Sequence, residues 1–137
     1  MKVHVREIVL KTRNRLELVD ITHRVEEIVA ESGVKNGLCL VFAPHATAAI
    51  IANEHEYGLI EDILKKVSEE FPHNGKWKHN RIDDNASAHL ASAFLGAERT
   101  FPVVNGRLVR GTWQNIFLLE LDGPRPIRRI IVEVIGE

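Results

Sequence analysis

Three of the chain's seven histidines, His45, His79 and His89, occupy positions from which a side chain can act on a ligand. His45 follows an apolar strand, His79 lies in a long polar loop, and His89 lies near the start of a short helix. Three imidazoles with carboxylates close by suit a divalent metal of the zinc type and leave a position open for water or substrate. Their spacing is not that of a compact metal motif, so the competing interpretation is that these histidines cap backbone groups in turns.

Two carboxylates, Asp84 and Glu54, are candidates for acid–base chemistry beside these histidines. Asp84 stands at the expected start of the short helix, where capping is its alternative use. Glu54 ends an apolar strand, so it could orient a histidine or act as a general base. A favourable interaction with the dipole of the following helix explains Glu54 equally well. Asn85 shares a helical face with His89 and is therefore a candidate for binding the ligand.

Two glycine-containing motifs in the last third of the chain carry further candidates. The first is GTWQ at 111–114, from which we expect Thr112 and Gln114 to bind substrate. The second is DGPR at 122–125, which is first of all a turn, although Arg125 could also hold a phosphate or carboxylate. Two more arginines that could do so lie nearby: Arg107 and Arg110. No Walker-type or dinucleotide-binding motif occurs, so a phosphate site would consist of side chains and loop amides.

The elements that must position these residues are predicted from the period of the apolar side chains. Alternation and short apolar runs predict seven or so strands, within 3–11, 15–19, 37–43, 47–53, 99–104, 107–109, 114–121 and 127–135. Helical spacing predicts three helices, at about 21–32, 55–70 and 85–95. We expect Asp20 to cap the first helix and Gly33 to end it. We expect Asp84 or Asn85 to cap the third helix and Gly96 to end it. The run at 37–43 indicates a strand buried on both faces, and Asn105-Gly106 predicts a hairpin turn. Since the order is not a βαβ rhythm, the predicted class is α+β, with a curved or closed, largely antiparallel sheet.

Length and composition limit what these elements can build. A chain of 137 residues, 45% hydrophobic and 27% charged, has the composition of a compact soluble protein, and we expect a single domain over residues 1–137. Lys and Arg number 18 against 19 Asp and Glu, which argues against nucleic-acid binding through bulk charge. The lone Cys39 excludes an intrachain disulfide and a cysteine-rich zinc module. Without a long apolar run or an evident signal peptide, we expect a cytoplasmic protein with no membrane contact.

Five motifs, in this order along the chain, resemble those of the YjbQ-like family, also called the secondary thiamine-phosphate synthase family. They are PHATAA at 44–49 with Asn53-Glu54, WKHN at 77–80, DNA at 84–86 with AHL at 88–90, GTWQ at 111–114 with Phe117 and Glu120, and DGPR at 122–125. The resemblance covers essentially the whole chain. The family often has Thr or Ser where this chain has Ala46, so one hydroxyl is missing here.

The resemblance implies a compact α+β fold with a curved or closed sheet, assembled as a homotrimer. It also implies a pocket lined at the motif positions His45, His79, Asp84 and His89. The activity attached to the family is a weak thiamine-phosphate synthase reaction. That reaction joins hydroxymethylpyrimidine diphosphate to thiazole phosphate and releases pyrophosphate.

For such an enzyme the sequence offers three groups of candidates. The metal ligands are His45, His79 and His89, the catalytic groups are Asp84, His89 and Glu54, and the substrate- and phosphate-binding groups are Arg125, Asn85, Gln114 and Thr112. The expected cofactor is a divalent metal, zinc or magnesium, and the expected substrate is a small phosphorylated molecule. A metal-dependent hydrolase of such a substrate would use the same groups. A non-catalytic trimeric protein that binds a metabolite or a metal is the alternative outside enzymes.

Overall fold

The computed structural model describes residues 1–137 and contains strands, three α-helices and one short 3₁₀ helix. The strands are β1 (Lys2–Leu10), β2 (Glu17–Asp20), β3 (Gly37–Phe42), β4 (Ala48–Asn53), β5 (Glu98–Val104), β6 (Arg107–Leu108), β7 (Asn115–Glu120) and β8 (Arg128–Gly136). The helices are α1 (Thr22–Ser32), α2 (Tyr57–Glu70) and α3 (Ala86–Leu95), and the 3₁₀ helix is Lys78–Arg81. The predicted α+β class is confirmed, and the elements agree with the predicted ones to within a few residues.

The strands form two antiparallel sheets. The first has five strands in the order β1-β8-β3-β5-β6, and the second has three in the order β2-β7-β4. The turn between β5 and β6 has positive φ at Asn105 (53°) and Gly106 (77°), as the Asn-Gly pair predicts. The predicted curved, largely antiparallel sheet is therefore confirmed, with its strands divided between two hydrogen-bonded sheets.

The three-stranded sheet is the middle one of three layers. One of its faces contributes Ile50 and Leu118 to a core shared with the five-stranded sheet and α1. Its other face contributes Ala49 and Leu119 to a second core, shared with α2 and α3. Because successive side chains of a strand point to opposite faces, β7 serves both cores, and its side chains are nearly all buried.

The outer face of the five-stranded sheet carries several exposed apolar side chains, with the charged Glu7, Arg129 and Glu133 among them. Leu38 is 48% exposed and Phe42 is 37% exposed, whereas Cys39 and Val41 on the inner side of β3 are fully buried. The prediction that β3 is buried on both faces is therefore wrong for the single chain. Helices α2 and α3 cover the three-stranded sheet, so no helix covers the outer face of β3. We call this surface the outer apolar face; its exposed members are Val3, Val5, Val9, Leu38, Phe42 and Val104.

The helix ends follow local hydrogen bonds. Gly33 ends α1 with φ 70°, as predicted. The N-cap residue is Ile21 rather than the predicted Asp20, although Asp20 Oδ1 accepts a bond from the N–H of Thr22 (2.9 Å). The second helix begins after the predicted residue 55, because the Glu56 carboxylate accepts bonds from two N–H groups of its first turn. None of the three helices is both long and apolar enough to cross a membrane.

Cys39, the only cysteine, lies in the shared core at the centre of β3. Its fractional exposure is zero. Burial raises the pKa of its thiol to about 12, because the apolar core disfavours the thiolate.

Candidate functional site

His79 and His89 lie side by side. Their ring centroids are 4.7 Å apart and their planes meet edge to face at 68°. His79 stands on the 3₁₀ helix and His89 in the first turns of α3, so the packing of these two elements brings the loop histidine and the helix histidine together. With Trp77, Lys78 and Leu90 they line a groove of about 310 Å³, which we call the histidine groove. Its size is at the lower end of that of small-molecule sites.

A chain of hydrogen bonds runs from the histidine groove to the turn at 122–125. His79 Nε2 lies 3.2 Å from Asn85 Oδ1, and Asn85 Nδ2 donates to Asp122 Oδ2 over 2.9 Å. Arg125 Nη2 donates to the same Oδ2 (2.8 Å), and Arg125 Nε donates to the Asp122 carbonyl oxygen (2.9 Å). Through Asp122, the structure thus connects three of the predicted residues, His79, Asn85 and Arg125, and His79 in turn contacts His89.

The start of α3 differs from the prediction. Asn85 is its N-cap residue, but neither Asp84 nor Asn85 caps the helix with its side chain; Asn80 Oδ1 accepts the bond from the Ala86 N–H instead (3.2 Å). The Asp84 N–H donates to Asp83 Oδ1 (2.8 Å) and lowers the pKa of Asp83, to which the charges of His79 and His89 contribute. Asp83 and Asp84 are both exposed.

Arg128 and Glu120 form a buried ion pair next to this chain of hydrogen bonds. Arg128 donates through Nε to Glu120 Oε1 (2.8 Å) and through Nη2 to Glu120 Oε2 and to the Thr47 carbonyl oxygen. Thr12 Oγ1 donates to Glu120 Oε1 (2.7 Å) and accepts a bond from the Arg125 N–H (2.9 Å). Burial opposes ionisation of Glu120, but the bonds from Arg128 and Thr12 outweigh it and lower the pKa of the carboxyl.

Neither member of this pair is among the candidate residues. Glu120 belongs to the motif that begins with GTWQ at 111–114, and Arg128 lies outside all five motifs. The signal in the sequence is Glu120, the one charge within the apolar run at 116–121, together with Arg128, one of two arginines that begin the run at 128–135. A charge in such a position is expected to be paired.

His45 occupies a separate position, against the first residues of β8. Its Nε2 lies 3.0 Å from the Arg129 backbone nitrogen and 3.1 Å from the Arg129 carbonyl oxygen. Burial lowers the pKa of His45, and the nearby charge of Arg128 adds to this effect. One ring nitrogen of His45 is therefore occupied by the Arg129 backbone, and His45 does not join the His79–His89 pair.

Three further predicted residues, Glu54, Thr112 and Gln114, lie at the opposite end of β7. Asn53, just before Glu54, pairs with the first residue of β7, whereas Ala48 pairs with the last, Glu120. A strand of six residues spans roughly 17–20 Å. A single chain therefore does not bring these residues to the histidine groove.

A second groove, of about 680 Å³, opens at this end of β7 between β4 and β5. Gln114 lines it, but its Oε1 accepts a bond from the Gly111 N–H (2.7 Å), which holds the GTWQ loop together. Arg110 also lines it, and its Nη1 donates to the Gln114 carbonyl oxygen (2.9 Å). Thr112 and Arg107 are exposed.

His55 and Asp20 form a pair that no sequence pattern predicts, because they are 35 positions apart. His55 Nδ1 lies 2.6 Å from Asp20 Oδ2, which also accepts a bond from Asn115 Nδ2 (2.7 Å). Burial would raise the pKa of Asp20, but the bonds from Thr22, Asn115 and His55 outweigh it and lower that pKa to about 2. This pair belongs to the far end of β7, away from the histidine groove.

A divalent metal in the histidine groove would find the imidazoles of His79 and His89. The chain forms no group of three or more His, Cys, Asp or Glu side chains that could hold a metal ion. Catalytic zinc sites ordinarily have three protein ligands. The residues of one chain therefore fit part of such a site, and His79 and His89 are the ones that would hold the ion.

Comparison with known proteins agrees with the motifs. Residues 6–137 match the family model described as UPF0047 protein YjbQ-like. A UPF0047 protein from Methanothermobacter thermautotrophicus is 45% identical over 137 residues, covering 100% of this chain and 95% of that protein. A YbjQ-like protein of unknown function from Sulfolobus solfataricus P2 has a crystal structure that matches with a TM-score of 0.98 and 62% identity, covering 99% of each chain. A hypothetical protein from Aeropyrum pernix K1 matches with a TM-score of 0.94 and 44% identity, covering 97% of this chain and 98% of that one. The chain thus belongs to the UPF0047 YjbQ-like family.

Proposed function

We propose that the histidine groove is the active site of an enzyme that acts on a small phosphorylated molecule. The observation that carries this proposal is the contact between His79 and His89, whose ring centroids are 4.7 Å apart in one groove. Two imidazoles within reach of one ligand can supply a proton donor and a proton acceptor near neutral pH. Lys78 lines the same groove, and Arg125 is connected to it through Asp122, so cations that suit phosphate lie nearby.

The reaction we propose is the one that the family resemblance implies, transfer of a hydroxymethylpyrimidine group from its diphosphate to thiazole phosphate. The bond between the methylene carbon and the diphosphate oxygen breaks, a bond from that carbon to the thiazole nitrogen forms, and pyrophosphate leaves. Negative charge on the departing pyrophosphate has to be stabilised by nearby cations. Lys78 is one such cation, and the 41% exposed Arg125 side chain, which uses only part of its donors on Asp122, is another.

A divalent metal, zinc or magnesium, is part of this proposal. When bound, such an ion supplies positive charge to phosphate oxygens. His79 and His89 are the residues of this chain that would hold it. The remaining ligands would come from water, the substrate, or a residue such as His45 of another subunit.

We further propose that the protein is a homotrimer that acts in the cytoplasm. The outer apolar face supports an oligomer, because a group of exposed apolar side chains on one face of a sheet is typical of a protein–protein interface. Assembly would also offer a way for Glu54, Thr112 and Gln114 to meet the histidine groove of a neighbouring subunit. A cytoplasmic location fits phosphorylated substrates and a free cysteine.

A hydrolase of a small phosphorylated substrate is the second candidate. The exposure of His79 favours it, because water reaches the groove and can serve as the acceptor in place of thiazole phosphate. The same imidazoles and cations would then act on the same phosphate. The two candidates differ only in the group that attacks.

The deciding experiment incubates the purified protein and magnesium with hydroxymethylpyrimidine diphosphate, with and without thiazole phosphate. We expect thiamine phosphate to form only with both substrates. We also expect His79→Ala and His89→Ala to lower kcat about 100-fold or more, with an unchanged melting temperature. The matched control is His23→Ala on α1, whose side chain is 86% exposed and should leave activity unaffected.

Each other outcome has a distinct meaning. Release of phosphate or pyrophosphate without thiazole phosphate would identify a hydrolase. Binding of substrate without any turnover would identify a non-catalytic binding protein and overturn the enzyme proposal. Loss of folding in both histidine variants would mean that His79 and His89 are structural.

The metal is tested by elemental analysis of the freshly purified protein. We expect about one ion per chain, and its loss in the His79→Ala/His89→Ala double variant. Loss of the ion in His45→Ala as well would identify His45 as a ligand supplied between subunits. No ion in the wild-type protein, even after incubation with excess zinc or magnesium, would remove the metal from the proposal.

A further inference from the structure

The carboxylate of Asp122 determines which way the amide of Asn85 faces. Asp122 Oδ2 accepts a bond from Arg125 Nη2 (2.8 Å) and lies 2.9 Å from one terminal atom of the Asn85 amide. An ionised carboxylate accepts hydrogen bonds and donates none. The amide atom beside it must therefore be the NH₂ group, and the opposite atom of the Asn85 amide, which faces His79, must be the oxygen.

The orientation of this amide in turn determines where His79 carries its proton. Asn85 Oδ1 lies 3.2 Å from His79 Nε2, and an amide oxygen can only accept a hydrogen bond. Nε2 must therefore be the protonated nitrogen. In the neutral ring the other nitrogen, Nδ1, then carries the lone pair.

The side chain of Asn85 contacts His79 and Asp122 and does not cap the helix. Asn85 is the N-cap residue of α3, a position at which an asparagine side chain usually caps the helix. Here Asn80 Oδ1 accepts the bond from the Ala86 N–H (3.2 Å), so both ends of the Asn85 amide remain available for His79 and Asp122. The side chain is also held in place, because Asn85 is only 9% exposed.

We propose that Asp122 is a positioning residue that acts through Asn85 to hold His79 with its proton on Nε2, so that Nδ1 is the nitrogen that meets a ligand in the histidine groove. The inference rests on the proposed function in taking this groove as the active site. Hydrogen-bonded partners of this kind commonly fix the tautomer and the ring orientation of a working histidine.

The lone pair on His79 Nδ1 also determines which part of a substrate His79 can contact. A nitrogen with a free lone pair attracts a proton donor or a cation and repels the oxygens of a phosphate. His79 therefore faces an amine or ring N–H of the substrate, while the phosphate groups lie toward Lys78 and Arg125.

The test is an NMR measurement on the substrate-free protein labelled with ¹⁵N-histidine. At pH 8.5, about two units above the ordinary imidazole pKa, histidine rings are neutral and exposed ring protons exchange rapidly with water. We expect His79, assigned with a His79→Gln variant, to show an exchange-protected proton on Nε2. A protected proton on Nδ1 would overturn the inference.

Two substitutions at Asp122 form a matched pair. Asp122→Ala removes the acceptor, so the Nε2 proton should lose its protection, and Asn85→Ala should have the same effect. Asp122→Asn should retain the protected proton, because both bonds end on the single atom Oδ2, which an amide oxygen can replace. A protected Nε2 proton that survives in folded Asp122→Ala or Asn85→Ala would show that Asp122 does not position His79.

The spectroscopic result does not depend on substrate, so it separates this inference from the proposed function. If the protein turns over no substrate but the pattern of protection holds, the proposed function fails and the positioning role stands. If it does turn over substrate, Asp122→Ala should lower kcat about 10–100-fold with little change in KM. An unchanged kcat in that variant would overturn the role of Asp122 in the reaction.

Discussion

Arg128 and Glu120 neutralise each other at a position that water does not reach, with side chains that are 2% and 0% exposed. Glu120 is the last residue of β7 in the three-stranded sheet, and Arg128 is the first residue of β8 in the five-stranded sheet. This ion pair therefore links the three-stranded sheet to the five-stranded sheet at a point beside the histidine groove. Thr12 and Thr47 provide further partners, so most of the remaining donors and acceptors of the pair are also satisfied.

Removing one member of this pair should destabilise the protein strongly. Glu120→Leu leaves a buried guanidinium without a counter-charge, and we expect the free energy of unfolding in urea to fall by about 3–5 kcal/mol. The double variant Glu120→Leu/Arg128→Met buries no charge and should be more stable than Glu120→Leu. The loss of unfolding free energy in Glu120→Leu and that in Arg128→Met are compared with the loss in the double variant. If the two single losses simply add, the charges do not interact in the way the structure indicates.

Asp20 should make the protein's stability depend on pH in the acid range. Its pKa is about 2 in the folded chain, against an ordinary value of 3.8, so its carboxylate stabilises the fold fully above about pH 4. That stabilisation, about 1 kcal/mol because water reaches part of the group, is lost as the pH falls from about 4 to 2. The measurement compares urea unfolding of wild type and Asp20→Asn at several pH values. The difference between them should shrink over this window, whereas Asp62→Asn on the exposed side of α2 should match the wild type throughout.

His45 should titrate below the ordinary imidazole range. Burial and the charge of Arg128 lower its pKa, so its proton NMR signal should have a titration midpoint below 6.5. The unfolded chain takes up this proton more readily than the folded one, so His45 should destabilise the fold progressively as the pH falls below about 6.5. His45→Gln should lack this component of the pH dependence. A midpoint at or above 6.5 would contradict the burial of the ring.

The outer apolar face should be required for assembly. Leu38→Lys introduces a charge on β3, the central strand of this face, and Val5→Lys introduces one on the edge strand β1. For both variants we expect light scattering after size exclusion to show monomers in place of the proposed trimer. Tyr57→Lys is a suitable control, because Tyr57 is 77% exposed at the start of α2, away from the five-stranded sheet. A wild-type protein that is monomeric over a wide concentration range would contradict the proposed trimer. An unchanged oligomer in Leu38→Lys would show that assembly uses another surface.

The order and type of the elements could be predicted because the signals are local. The helical spacing around Val25 and the Asn-Gly pair at 105–106 each determine structure within a few residues. The burial of β3 could not be predicted in the same way. Leu38 and Cys39 belong to one apolar run, although Leu38 is exposed and Cys39 is buried. An apolar run does not reveal whether each face of its strand is covered by a helix of the same chain or by another molecule.

The candidate site was predictable where its members belong to the motifs of the sequence, and not where side chains from distant segments meet. His79 and His89 lie in the two predicted segments whose packing forms the groove. Asp122 is 37 residues from Asn85, and nothing in either segment indicates that their side chains meet. Glu54 and Gln114 looked equally suited to the site, but the length of β7 separates them from the groove within one chain.

The burial of Cys39 gives the protein an internal reporter of its own opening. Thiol reagents attack the thiolate, and a thiol with a pKa of about 12 is almost never ionised at neutral pH. Modification of this single sulfur therefore requires the two sheets to separate and admit solvent to the core. The rate at which the unaltered protein reacts with a thiol reagent in native buffer would thus measure how often its central core opens, with no dye or introduced residue.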